Sequence, residues 1–555
     1  MNENKLYIKY KFNGKVYEDD LYQTQHYFIE DNTTENELKI TIIPREKIEL
    51  IAFELRYSRN YANDERVFCN GYQSWTTSRE YRRGDKYRGI TWLTKLLPMF
   101  KYLPATMSDE IFYTYPKTAG VFHSYTYTYF RKDNEFELWG SLTERQGFTI
   151  FKADFNKNTF VIAKDVEGLI IDSPYQLFNV VRFKGAYDAV FDSYFGLMNL
   201  PKPRTDFLSG YTSWYNYFGR ITEDIILRDL SNLDRVKEYV NIFQVDDGYQ
   251  PTVGDWLLPC EKFPNGMKYI ADKIHEKGYK AGLWLAPFNA AKNSKLVAEH
   301  PDWLIRKPNG RPLIGSIAWG GAYTLDIYHT EARDYIKKVL GTVVNEWGFD
   351  MVKLDFLYSQ CILPRNGKTR GTIMCEAMEF LRECIGDNKL LLGCGVPLGA
   401  SFGYVDACRV GCDVDLKYTG KIYNKMHISR EVPSAQNSIN NAIQRRHLNK
   451  RAFANDPDVF FLRDYNLDFT KEQKLLLAKI NNLFGSVLFV SDDVGTYADE
   501  EVEYLKKFFH KSNAMIISAD YVDDDRILIF YLEDGIRKKL EFRLSTGEGN
   551  IMENV

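Results

Sequence analysis

Lys353 and Asp355 lie two residues apart in the run MVKLDFLY at 351–358, an apolar, β-branched stretch of strand character. Successive side chains on a strand alternate faces, so these two point the same way. Charge taken out of water is costly unless it is paired. A lysine and an aspartate on one face, near the C-terminal end of a strand, suit a solvated or substrate-filled pocket at the mouth of a parallel sheet. They suit an ordinary buried ion pair as well. A second carboxylate, Asp413, closes the run CRVGCD at 408–413, four residues after Arg409. If the backbone there stays extended, Arg409 and Asp413 share the pocket face. Two carboxylates facing each other across a pocket are what glycoside hydrolysis requires: one attacks the anomeric carbon while the other protonates the leaving oxygen. Lys353 beside Asp355 would keep that group ionised as a nucleophile, whereas Asp413 must hold a proton to act as an acid. Direct contact with Arg409 would favour the anion at Asp413. Arg409 is therefore expected to lie closer to the substrate or to another carboxylate. A metal-binding use of these aspartates is the competing reading.

A further carboxylate pair, Asp246 and Asp247, sits in FQVDDGY at 243–249, with GDW following at 254–256. Adjacent carboxylates repel and are normally held apart by hydrogen-bond donors, a role sugar hydroxyls fill well. Trp214, Tyr215 and Trp284 offer flat apolar faces to the C–H side of a pyranose. Core packing explains any single tryptophan equally well; their shared position at strand ends favours the pocket.

These residues need a scaffold that brings strand ends together. Eight apolar strand-like runs fall at 209–213, 242–245, 281–286, 351–355, 390–394, 407–410, 459–462 and 486–490, separated by amphipathic stretches at 221–240, 267–278, 330–347 and 372–385 among others. Eight strands alternating with helices predict an α/β fold, a central (β/α)8 barrel whose active site lies at the strands' C-terminal ends. Trp214, Asp246, Asp247, Trp284, Asp355, Cys394, Asp413, Asp492 and Asp493 all fall at those ends. Before the barrel, alternating Tyr/Phe/Ile/Val segments such as 38–43, 125–130 and 147–152 read as an N-terminal antiparallel β-sandwich. The connector LPKPR at 200–204 has two prolines, which favour extended backbone and stop any helix. Segments 514–519, 527–532 and 539–542 predict a small C-terminal antiparallel sheet. The expected domains are thus 1–204, 205–511 and 512–555.

With 555 residues, 45% of them apolar and 26% charged, the chain has the make-up of a globular protein of several domains. A formal net charge of −3 without a long basic run argues against nucleic acid or an anionic membrane surface as a partner. The start, MNENKLYIKYKF, lacks an apolar core of signal-peptide length, and no run of 18 or more apolar residues occurs, so the expected location is the cytoplasm. None of the eight cysteines forms a C-x-x-C pair, and the eight histidines form no H-E-x-x-H or other ligand spacing. Reduced thiols are expected, and a zinc hydrolase is disfavoured. Oligomeric state is not legible in the sequence.

Nine segments in order resemble glycoside hydrolase family 36 α-galactosidases (melibiases, clan D): GYQSW at 71–75, TSWYNY at 212–217, QVDDGY at 244–249, VGDW at 253–256, GLWLAPF at 282–288, KLDF at 353–356, LGCG at 392–395, RVGCD at 409–413 and NDPD at 455–458. The resemblance implies a retaining double displacement, without metal or other cofactor, on terminal α-D-galactosides such as melibiose and raffinose-type oligosaccharides. It implies that Asp355 is the nucleophile and Asp413 the acid/base, and that Asp246 and Asp247 hold the galactose 4- and 6-hydroxyls. Trp214, Tyr215, Trp284, Lys353, Cys394 and Arg409 would line the pocket, and Trp75 would reach it from the sandwich. Cys394, with Arg409, would stand beside the sugar's 2-position. Cys412 and the run VDLKY at 414–418 depart from the family form. The alternatives are α-N-acetylgalactosaminidase and transglycosylase activity with the same two carboxylates; a sugar-binding barrel without catalysis would be expected to lack one of them.

Overall fold

A computed structural model describes residues 5–87, 109–419 and 432–553. The first four residues of the N-terminal run lie outside these; the rest of it forms the first strand, Lys5–Phe12. The N-terminal region is a sandwich of two seven-stranded sheets whose strands pair antiparallel among the described residues. Its strands alternate as a one-sided sheet must: in Glu37–Pro44, Leu38, Ile40 and Ile42 are buried and their neighbours are not. The segment 125–130, expected as one strand, is two. Val121–Tyr125 belongs to one sheet and Tyr127–Lys132 to the other, and the chain crosses between them at Thr126, whose φ is 68°. Before the proline connector there is also an unexpected helix, Tyr187–Met198, which buries Val190, Phe191, Tyr194 and Phe195 on one face.

The parallel sheet runs in the order expected of a barrel. Its first six strands are Leu208–Thr212, Ile242–Val245, Lys280–Leu285, Met351–Leu354, Leu390–Gly393 and Ala407–Arg409, each hydrogen-bonded in parallel to the next. Nearly every residue in them is buried, as both faces of such a sheet are covered. The eighth strand, Val487–Val490, pairs back onto the first. The seventh differs from the expected 459–462. It comes in two pieces, Ala454–Asp456 paired to strand six and Val459–Phe460 paired to strand eight. Pro457 lies at the break; it has no N–H to donate to a ladder, and Asp458 follows with φ of 73°. The interruption re-aims Asp458.

Between strand three and its helix the chain inserts a three-stranded antiparallel sheet, Asn289–Ala291, Ile314–Ser316 and Ala322–Thr324, which the sequence reading did not anticipate. After the barrel come the helix Asp499–Phe509 and a four-stranded antiparallel sheet, Met515–Tyr521, Arg526–Glu533, Ile536–Arg543 and Gly549–Glu553. Sandwich and barrel approach closely: a β-carbon on Gly399 would lie 2.4 Å from the Thr126 hydroxyl, so only glycine fits there. Among the described residues no helix is long and apolar enough to cross a membrane.

Candidate active site

Asp355 follows strand four directly, its backbone N–H donating to the Leu285 carbonyl of strand three at 2.9 Å. The Trp284 indole N–H donates to its Oδ2 at 3.1 Å, and the backbone N–H of Phe356 donates to Oδ1 at 2.8 Å. Burial pushes the Asp355 carboxyl up from its ordinary value, opposed by the charge of Lys353 and the Trp284 donor. A more basic carboxylate is the better nucleophile wherever it remains ionised.

Lys353 is placed differently from expectation. Its ammonium bonds Oδ2 of Asp246 at 2.8 Å, and Asp355 feels it only through space. The reason is register: Lys353 lies inside strand four, level with Trp284 of strand three, whereas Asp355 sits one step past the strand's end. Burial opposes the charge on Lys353 most strongly, but Asp246 together with Cys394 and Asp355 overcomes it and raises the lysine's pKa.

The expected separation of the adjacent carboxylates by donors is present. Asp246 Oδ2 also accepts from Gln244 at 2.7 Å, while Asp247 accepts from Gln250 at 2.6 Å and from the indole of Trp319 at 2.8 Å. Burial raises the Asp247 pKa despite those two donors.

These groups line a pocket of about 210 Å³. Of the expected site residues, Trp75, Trp214, Asp246, Asp247, Trp284, Lys353, Asp355 and Asp413 line it. Tyr215, Cys394 and Arg409 do not; they stand buried behind the wall. Tyr215 donates its hydroxyl to Asp458. The Cys394 thiol is covered by Trp75, whose indole N–H points at Sγ from 3.3 Å. The thiol in the pocket wall is instead Cys412. Arg409 reaches Oδ1 of Asp413 at 2.8 Å, the contact it was expected to avoid, and Oδ1 of Asp458 at 2.8 Å with its other terminal nitrogen. An extended backbone at 409–413 would carry the arginine into the pocket. The strand ends at Arg409, and the turn after it leaves Asp413 at the pocket with the guanidinium behind.

Trp319 and Phe356 complete the wall and were not anticipated. Their rings meet at 4.8 Å, and Phe356 meets Trp75 at 5.1 Å. Both have left-handed backbones, φ of 56° and 55°, which bulky side chains rarely adopt. Nothing in the local sequence around Trp319 signals a pocket; the inserted sheet carries it there. Trp75 is held by a clamp: Ser74 N–H bonds the Val396 carbonyl at 2.9 Å, and the buried Arg445 bonds the carbonyls of Ser74 at 2.6 Å and Val410 at 2.8 Å.

Residues 217–367, the span that holds Asp246, Asp247, Trp284, Lys353 and Asp355, match the melibiase family model. That span resembles a melibiase domain and covers about a quarter of the chain. Curated relatives share the similarity. α-Galactosidase Mel36A of Lactobacillus acidophilus is 32% identical over 131 residues, 22% of this chain and 17% of that protein. A protein of Flavonifractor plautii named A type blood α-D-galactosamine galactosaminidase is 31% identical over 199 residues, 32% of this chain and 18% of its own length. The alignments thus span less than a fifth of these two relatives. In architecture, the α-galactosidase TtGalA of Thermus thermophilus, solved in complex with p-nitrophenyl α-D-galactopyranoside, superposes with a TM-score of 0.71 at 23% identity, covering 94% of this chain and 97% of that one. The barrel with flanking β domains is therefore the fold both of this chain and of that enzyme.

Proposed function

We propose that this melibiase-domain chain is a retaining exo-α-galactosidase acting on terminal α-D-galactosides of the melibiose and raffinose type. The observation that carries the reading is that Asp355 and Asp413, from beyond the ends of strands four and six, line one pocket. In the first step Asp355 attacks the anomeric carbon as the bond to the glycosidic oxygen breaks, and Asp413 gives that oxygen its proton. A galactosyl ester on Asp355 results. In the second step water attacks the same carbon, Asp413 takes the water's proton, and Asp355 leaves. Asp246 and Asp247, already fixed by Lys353, Gln244, Gln250 and Trp319, accept from the sugar hydroxyls. The indoles of Trp284, Trp214 and Trp75 shield the apolar face. Neither acid/base step calls on a metal ion or cofactor.

The similarity to a galactosaminidase favours a second reading, action on a sugar with nitrogen at the 2-position. Turnover of p-nitrophenyl α-galactoside and of its 2-acetamido analogue, each with and without chelator, separates the two. We expect kcat/KM for the galactoside to be higher by at least roughly 100-fold, about 2.7 kcal/mol in transition-state binding, and chelator to change nothing. A ratio near one or reversed moves the chain to the galactosaminide reading. Turnover of neither substrate rejects both.

A further inference from the structure

An acid that rests against an arginine should be an anion, and an anion cannot protonate a leaving group. Asp413 nevertheless accepts from Arg409 at 2.8 Å. What distinguishes this contact is how the guanidinium is shared. Arg409 is 2% exposed, and its second terminal nitrogen bonds Oδ1 of Asp458 at 2.8 Å, while Asp456 approaches its Nε to 3.6 Å. The side chain of Asp458 is 3% exposed and that of Asp413 is 43% exposed. At equal distance the buried pair is screened less, so the cation's field is taken up chiefly by Asp458.

Asp458 also holds the turn that carries Asp413. Its Oδ2 accepts from the backbone N–H of Val414, the next residue, at 2.8 Å, and from the Tyr215 hydroxyl. The break in strand seven at Pro457 is what brings this side chain inward. Other charged groups acting on Asp413 are Asp355, just past strand four, and Asp415 in the following loop, and Lys353 lines the same pocket. The neighbouring thiols of Cys394 and Cys412 are buried and held in the neutral form.

We propose that Asp458 is a positioning residue that lets Asp413 keep the proton it must deliver, by neutralising Arg409 and fixing the Val414 turn. With Arg409 occupying Oδ1, the second oxygen of Asp413 is the one left to carry the proton. When that proton passes to the glycosidic oxygen, Asp413 becomes an anion beside Arg409, the state needed to accept a proton from water in the second step. The inference rests on the acid/base reading of Asp413 given above.

The test is Asp458→Asn, which keeps size and hydrogen bonding but removes the charge. Arg409 then has Asp413 as its close carboxylate. The alkaline limb of the kcat/KM profile for raffinose should move to lower pH by about one unit, a loss of roughly tenfold near neutrality. Glycosylation by p-nitrophenyl α-galactoside, whose leaving group needs little protonation, should fall less than about threefold. The loss on raffinose should be recovered at lower pH. A purely structural role would lower both substrates together and leave the limb in place, and that result overturns the inference. Tyr215→Phe, which removes one donor to Asp458, should give a smaller shift in the same direction, and it carries the test if Asp458→Asn does not fold; an unmoved limb in a folded Tyr215→Phe then counts against the proposal. If Asp413→Ala proves indifferent to leaving group, the acid/base reading itself fails. If that variant discriminates but Asp458→Asn leaves the limb unmoved, only the role of Asp458 fails.

Discussion

At the scale of single residues, the two pocket carboxylates differ in their surroundings, as the proposed division into nucleophile and acid/base requires. Asp355 is buried and anchored through both oxygens by Trp284 and the Phe356 backbone, whereas Asp413 is half exposed and held on one side by Arg409. Removing the nucleophile should abolish turnover by several orders of magnitude while the protein stays folded, because no glycosyl ester can form in Asp355→Ala. Added azide should enter the vacated space, restore part of the activity and yield the β-galactosyl azide; wild-type turnover in this variant would exclude Asp355 from the role. Asp413→Ala should hit raffinose far harder than nitrophenyl galactoside in single-turnover glycosylation, with deglycosylation becoming limiting for the activated substrate. Equal losses on both would remove Asp413 as the acid.

At the scale of elements, the site depends on pieces that are not barrel strands. Trp75 comes from a sandwich loop and is held against the end of strand five. Gly395, with φ of 56°, lies under it: a β-carbon there would come within 3.0 Å of Cζ2 of Trp75 and 3.1 Å of the Phe356 backbone. Gly395→Ala should therefore displace the indole and add backbone strain of about 1–3 kcal/mol. We expect its KM for the galactoside to rise, together with a lower unfolding midpoint. Trp75→Ala should raise KM by about tenfold or more, since the indole faces the pocket directly. An unchanged KM in Trp75→Ala would restrict this residue to packing between sandwich and barrel.

At the scale of the whole molecule, a cluster of cations marks where the barrel helices meet the C-terminal sheet. Lys511 donates to the Asn482 carbonyl. Burial, then Lys450 and Lys479, lower its pKa from 10.5 to about 7. Between those two values the native state binds fewer protons than the unfolded chain, so stability rises with pH across that window, and the cost of the charge is fullest below pH 7. Lys511→Met should stabilise the protein at pH 7, by of order 1–2 kcal/mol once the side chain's residual solvent contact is allowed for. Urea midpoints for the two proteins should converge as pH approaches 10. A difference that stays constant with pH would assign the gain to packing and not to charge.

Strand positions and the pocket carboxylates were legible because they are local signals. Apolar runs of four to six residues specify buried strands wherever they occur, and Asp246, Asp355 and Asp413 sit at or just past the ends of such runs, which a parallel barrel gathers at one mouth. The proline at 457 was visible too, but only strand pairing shows that it splits strand seven and turns Asp458 inward. Partnerships across the fold were beyond the sequence. Lys353 bonds Asp246, 107 residues away, and the Trp75 indole meets Cys394 across 319 residues. Such contacts depend on the tilt of neighbouring strands and on the path of loops between them, neither of which periodicity encodes. The sequence by itself determined the barrel and which carboxylates reach its mouth. Tertiary structure decided which carboxylates Lys353 and Arg409 bond, that Cys412 and not Cys394 faces the pocket, and that Trp319 closes it, because these are settled by packing between segments far apart in the chain.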